Sequence, residues 1–162
     1  YRAMLNLVQP LTQIVTALSL LSLPSISRYL HHESRSKKYL VIFIFSFFLL
    51  GLIYLLLIIL FGESVIKIIY KQSFYQSYYW LIPFLALSGF FSTIGQPISI
   101  ILRASNEPKS ILYSRISSVF SLLIFGVLLI NRYGLMGIMV TIIIGSLLEM
   151  LVLIIFLLKR KL

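Results

Sequence analysis

Five long stretches of mainly apolar residues alternate with short polar segments along the chain. These stretches cover approximately residues 3–24, 39–61, 78–103, 110–130 and 134–158. A helix of about 20 mainly apolar residues crosses the ~30 Å hydrocarbon core of a bilayer, and it satisfies its own backbone hydrogen bonds there. The pattern therefore predicts an all-α integral membrane protein, in which residues 1–162 form a single membrane domain.

The third predicted helix carries polar residues along one face. They recur at helical spacing and are Ser88, Ser92, Gln96, Ser99 and Arg103. Because polar groups on a membrane helix usually face a bundle interior or a water-filled cavity, this face predicts a cavity wall. Pro97 predicts a kink within it. The alternative is tight helix packing through small residues, with serine hydroxyls bonded to carbonyls of their own helix.

The first predicted helix has a similar polar face. Its members are Arg2, Asn6, Gln9, Gln13 and Thr16. Two such faces favour a shared interior, so we expect the side chains of Asn6, Gln9 and Gln13 to line the same cavity. The apolar run ends at Pro24, and the basic segment 25–38 is predicted to be a connector.

The second predicted helix is apolar on all sides, which indicates contact with lipid over much of its surface. The segment that follows, 62–77, places Lys67 and Lys71 beside aliphatic residues and predicts a short amphipathic element at the membrane interface. Tyrosines and a tryptophan cluster between Tyr70 and Trp80. Such an aromatic belt marks the level of the lipid headgroups.

The last two predicted helices are joined by a turn at 131–134. Gly137, Thr141, Gly145 and Glu149 follow one another at helical spacing on the fifth helix. The small residues let another helix approach, and Glu149 lies near mid-membrane, where a bare charge costs about 3 kcal/mol. Glu149 is thus a candidate for coupling to an ion or for a structural hydrogen bond. Arg115 on the fourth helix either extends to the interface or faces the lumen.

The composition agrees with a membrane protein and limits its chemistry. The chain is 60% hydrophobic and 11% charged, against about 25% charged residues in soluble domains. It has no Cys, which excludes disulfides, thiolate metal sites and thiol nucleophiles. All its acids are Glu, so paired-aspartate magnesium centres are absent. His31 and His32 are adjacent, do not share a helix face and lack Cys or Asp partners, so we expect no metal site there. We also expect no cofactor and no enzymatic activity.

The net charge of +10 arises from bases that lie next to the apolar runs. The positive-inside rule and anionic headgroups explain them without nucleic acid. One set of connectors holds Arg28, Arg35, Lys37, Lys38, Arg103, Lys109, Arg115, Lys159, Arg160 and Lys161, and the other holds Arg2, Lys67, Lys71 and Arg132. The first set predicts the cytoplasmic side, with the C-terminus inside. An odd number of spans suggests a further span before Tyr1.

Several segments together resemble one family of transporters. They are YRAMLNLVQPLTQIVTALSLLSLPSIS, IYKQSFYQSYYWLIP, LRASNEPK and NRYGLMG, in that order. They are similar to the C-terminal half of polysaccharide flippases of the Wzx/RfbX type, in the multidrug/oligosaccharidyl-lipid/polysaccharide (MOP) exporter superfamily. Lys71-Gln72-Ser73 departs from the pattern, because family members often carry a Gly there.

The resemblance implies a MATE-like transporter of two bundles, in which this chain supplies five helices of one six-helix bundle and lacks the N-terminal half. The implied activity is flipping of undecaprenyl-pyrophosphate-linked oligosaccharides by alternating access, for O-antigen, capsule or exopolysaccharide assembly. The implied location is the bacterial cytoplasmic (inner) membrane, with the polysaccharide polymerase machinery as a partner. Arg2, Arg103 and Arg115 would attract the pyrophosphate or another charge, and Glu149 would carry the coupling ion.

Four alternatives remain open on the residues alone. Two share the fold: a cation-coupled multidrug exporter, and a flippase for lipid II. The third is a membrane-embedded transferase acting on polyprenyl-linked substrates, which needs a general base or a metal cluster. The fourth is a membrane subunit without catalytic activity, in which the polar faces only pack helices.

Overall fold

The computed structural model describes residues 2–30, 36–69 and 79–159, apart from the side chains of 2–8, 36, 37, 66 and 69. The described chain is helical except for short turns. Its elements are α1 (Arg2–Leu30), α2 (Ser36–Ile69), a 3-10 turn (Tyr79–Leu81), α3 (Ile82–Ala104), α4 (Pro108–Tyr133) and α5 (Leu135–Lys159).

All five α-helices are long and apolar enough to cross a membrane. Large apolar side chains are exposed over most of α2 and α4, as expected for surfaces that contact lipid. The described residues thus confirm the prediction of an all-helical protein with five helices that are able to span a membrane. The prediction that this helix presents apolar side chains over much of its surface agrees with α2, where Val41, Phe45 and Leu60 are among the exposed side chains.

Three helix boundaries differ from the predicted ones. α1 continues through Pro24 to Leu30, so no connector begins at 25; Ile26 is fully buried and its packing favours continued helix. α2 continues to Ile69, so 62–69 belong to this helix and not to a separate interfacial element. α4 continues to Tyr133, and the predicted turn 131–134 is reduced to Gly134, whose φ is 55°.

Other predictions fall outside the described residues. His31 and His32 lie there, as do Tyr70 and the rest of the aromatic belt before Tyr79. Tyr79 and Trp80 are described and form the 3-10 turn that leads into α3.

α3 is the central helix of the bundle. Its candidate span is 67% buried, against 17% to 22% in the other four. α1, α2 and α5 pack against it, whereas α4 packs mainly against α5. At one end of the bundle Ile26, Leu40 and Ile101 form a buried cluster, and at the other end Leu81 packs with Met139. Successive helices therefore run in opposite directions.

The line of small residues on α5 faces α4. A Cβ added at Gly137 would overlap the backbone carbonyl of Leu129, and one added at Gly145 would lie 3.3 Å from Ser118 Oγ. Thr141 lies between them and is buried. The prediction that this line lets a helix approach closely is confirmed, and Glu149 lies at its end.

Candidate functional site

A partly enclosed pocket is bounded by α1, α3, α4 and α5. Its volume is about 260 Å³. The polar lining residues are Thr12, Ser92, Gln96, Ser99, Arg115, Ser146 and Glu149, and the apolar ones are Phe91, Gly95, Met150 and Leu153. The pocket thus brings together polar residues that the sequence places on four helices.

α3 supplies one wall of this pocket. Ser92, Gln96 and Ser99 lie at helical spacing and all line it, while the other sides of α3 pack against α1, α2 and α5. Gly95 lies among them, and a Cβ added there would lie 3.4 Å from Leu153 Cδ1. The close approach of α5 at Gly95 therefore closes the pocket on one side. The helix is continuous through Pro97, and the kink remains a prediction.

The hydroxyl groups of α3 fall into two kinds. Ser88 Oγ donates to the carbonyl of Leu85 at 2.8 Å, and Thr93 Oγ1 donates to that of Gly89 at 2.8 Å. By contrast, the side chains of Ser92, Gln96 and Ser99 make no hydrogen bond with any other described residue. Their donors and acceptors face the pocket, whereas Ser88 is buried and does not line it.

Arg115 and Glu149 bring opposite charges to the same pocket. At about 1.5 Å of rise per residue, Arg115 lies about 10 Å from the start of α4, and Glu149 about 15 Å from the end of α5. The two side chains do not form an ion pair. Within the part of the chain that the structure describes, the only ion pair joins Lys67 Nζ to Glu63 Oε1 at 2.7 Å. A carboxyl group and a guanidinium group are thus both available to a ligand or to water.

α1 contributes less to the pocket than its polar face predicts. Gln9 and Gln13 are exposed, and neither lines the pocket. Gln13 instead borders a shallow depression of about 330 Å³, which it shares with Thr12, Thr16, Ala17 and Leu20. Leu11 and Val15 pack against Phe47, and this packing sets the rotation of α1 that turns Thr12 toward the pocket.

The remaining predicted site residues lie elsewhere. Arg103 is exposed at the end of α3 and does not line the pocket. The side chains of Arg2 and Asn6 lie outside the description. No group of three or more His, Asp or Glu side chains able to hold a metal occurs among the described residues.

Two polar lining residues were not predicted from the sequence, Thr12 and Ser146. Both hydroxyls donate to their own helix, Thr12 to the carbonyl of Gln9 at 2.8 Å and Ser146 to that of Ile143 at 3.0 Å. A signal for Ser146 was present, because it lies one helical turn before Glu149 and hence on the same face of α5.

Comparison with known proteins identifies no relative of the chain. No protein-family model matches it, and neither a curated protein nor a solved structure is similar to it.

Proposed function

We propose that the chain is part of an alternating-access transporter that flips undecaprenyl-pyrophosphate-linked oligosaccharides across a bacterial cytoplasmic membrane. The observation that carries the proposal is the pocket itself. Its amide and hydroxyl groups from α3 have no partner among the described residues, although they lie in a helix long and apolar enough to span a membrane. Such groups are costly in hydrocarbon unless water or a polar ligand satisfies them.

The chemistry of the pocket suits a glycan with a phosphate group. Sugar hydroxyls both donate and accept hydrogen bonds, and so do the Gln96 amide and the hydroxyls of Ser92 and Ser99. The guanidinium of Arg115 offers paired donors of the geometry that phosphate oxygens accept. Exposed apolar side chains on α2 and α4 offer a surface for the polyprenyl chain.

The pocket alone is too small for an oligosaccharide, which indicates that it forms only part of a larger cavity. About 260 Å³ is below the ~300–1,000 Å³ of common small-molecule sites, and an oligosaccharide is larger than such ligands. We therefore assign these residues to one wall of a cavity that a second helix bundle completes, in a MATE-like arrangement. In that arrangement the base-rich ends of the helices are cytoplasmic, and Arg115 lies on the side from which the substrate enters.

The test compares two substitutions on α3. Gln96→Leu removes an amide that faces the pocket, while Ser88→Ala removes a hydroxyl that is bonded to its own helix. We expect the first variant to lower transport of the lipid-linked oligosaccharide into proteoliposomes by about tenfold, which corresponds to one or two lost hydrogen bonds. The second should transport normally, and both should be expressed at the normal level.

One observation favours a different role, a membrane subunit in which polar residues only pack helices. The hydroxyls of Ser88, Thr93 and Thr141 are all buried and bonded to carbonyls of their own helix, as in ordinary helix packing. Normal transport by a well-expressed Gln96→Leu variant would favour this role and contradict the cavity.

A further inference from the structure

A second feature, outside the pocket, lies where α1 ends and α2 begins. Arg28 on α1 and Lys38 on α2 are exposed there, as is Arg103 at the end of α3. None of the three forms an ion pair with another described residue. At the opposite end of the bundle, by contrast, Lys67 is neutralised by Glu63 at 2.7 Å. Among the described side chains, Arg132 is the only base at that opposite end without an ion pair, so more unpaired positive charge lies at the end that carries Arg28, Lys38 and Arg103.

A pair of stacked tyrosines holds the ends of α1 and α2 together. The ring centroids of Tyr29 and Tyr39 are 4.1 Å apart, and the rings are inclined by 18°. Ile26 and Leu40 are buried beneath them against Ile101 of α3. Each tyrosine directly follows one of the bases, so this packing holds Arg28 and Lys38 at the same level of the bundle.

An apolar surface continues from these bases along α2. Val41, Ile42 and Phe45 follow Lys38 within two helical turns, and their side chains are 56% to 65% exposed. An acyl chain fits along such a surface, while tyrosine rings are typical of the headgroup level. A free phosphate ion would contact the bases, but it has no apolar group that could pack on this surface.

We propose that this end of the α1–α2 pair binds the anionic headgroup of a membrane phospholipid. Arg28 and Lys38 contact the phosphate, the hydroxyls of Tyr29 and Tyr39 lie at the level of the headgroup, and an acyl chain lies along Val41 and Phe45. The inference concerns lipid selectivity and does not depend on the transported substrate. It assigns the site to the leaflet at the base-rich end of the helices.

Native mass spectrometry of the purified full chain in neutral detergent tests this site. Phosphatidylglycerol and phosphatidylcholine with identical acyl chains are added in turn, and the bound fractions are compared. Each base near an anionic headgroup contributes about fivefold to binding, so R28Q/K38Q should weaken phosphatidylglycerol binding by about 30-fold. R28K/K38R, which keeps both charges, should retain binding.

The matched control is K67Q/R132Q, which removes the same charge at the opposite end of the bundle. This variant should bind phosphatidylglycerol as the wild type does. An equal loss of phosphatidylglycerol binding in both double variants would show that binding depends only on the overall charge of the protein, and it would overturn the site. Unchanged binding by R28Q/K38Q would overturn it too, as would full displacement of the lipid by inorganic phosphate.

Discussion

The two charged residues of the pocket, Arg115 and Glu149, lie farther from the ends of their candidate membrane spans than the other charged side chains that the structure describes. Glu149 is about 15 Å from the end of α5 and is only partly exposed. An ionised carboxylate at such a depth costs about 3 kcal/mol, and no described base neutralises it. An ionised Glu149 therefore lowers the stability of the protein, and this cost favours a functional role for the charge.

Glu149→Gln distinguishes a functional acid from a structural one. The amide keeps the size of the side chain and removes its ability to ionise, so the melting temperature in detergent should stay unchanged or rise. Transport should fall by tenfold or more, because the neutral group cannot exchange an ion. Glu63→Gln is the matched control, because it makes the same change at an exposed acid that does not line the pocket, and it should transport normally. A lower melting temperature with normal transport per folded molecule would identify a structural hydrogen bond instead.

At the scale of the helix, the number of elements could be predicted and their ends could not. Hydropathy alone predicts five helices, since each apolar run is long enough to span a bilayer. The ends depend on tertiary contacts that local patterns do not contain. Ile26 continues α1 beyond Pro24 because it is buried against α2 and α3. Gly62 continues α2 because it packs closely on Ile82.

The α4–α5 hairpin owes its close packing to glycine. At Gly137 a Cβ would overlap the backbone carbonyl of Leu129, which cannot move without shifting α4. At Gly126 a Cβ would lie 3.7 Å from Thr141 Cγ2, an ordinary contact. Two glycines of the same hairpin should therefore respond in opposite ways to the same substitution.

Gly137→Ala should lower the free energy of unfolding by about 1–3 kcal/mol, the usual cost of overpacking. Gly126→Ala should leave it unchanged or raise it by about 0.5–1 kcal/mol, because alanine favours the helix. Reversible unfolding of both variants in detergent, followed by circular dichroism, measures the difference. Equal stability of the two variants would contradict the close approach at Gly137.

At the scale of the whole molecule, the sequence indicated that α3 has a polar face suited to a cavity wall, but it indicated neither the central position of α3 nor which residues line the pocket together. The polar face of α3 could be predicted because its polar residues recur at helical spacing. That Arg115 and Glu149 line the same pocket could not be predicted, because hydropathy does not determine which helices are neighbours. For the same reason the rotation of α1, which turns Thr12 inward and leaves Gln9 exposed, required the packing of Leu11 and Val15.

The arrangement of helices makes a direct test of the cavity possible. Ser99 lines the pocket, whereas Ser46 is exposed on the apolar face of α2. Leu40 packs at the level of Ile100, and Gly51 packs on Thr93. Ser46 lies between Leu40 and Gly51, so it is level with the part of α3 that carries Ser99. The two positions carry the same residue at a similar depth, but Ser99 faces the pocket and Ser46 lies on the exposed apolar surface of α2.

The chain has no Cys, so Ser99→Cys and Ser46→Cys each introduce a single thiol into it. A charged, water-soluble thiol reagent reacts with a thiolate and therefore needs water at the site. We expect Ser99→Cys to be labelled at least tenfold faster than Ser46→Cys, and lipid-linked substrate should slow the labelling. Mass spectrometry of the labelled protein measures both rates. The reagent is supplied on both sides of the membrane. If Ser99→Cys is then labelled no faster than Ser46→Cys, the pocket is closed to water, and this result would contradict a transport cavity.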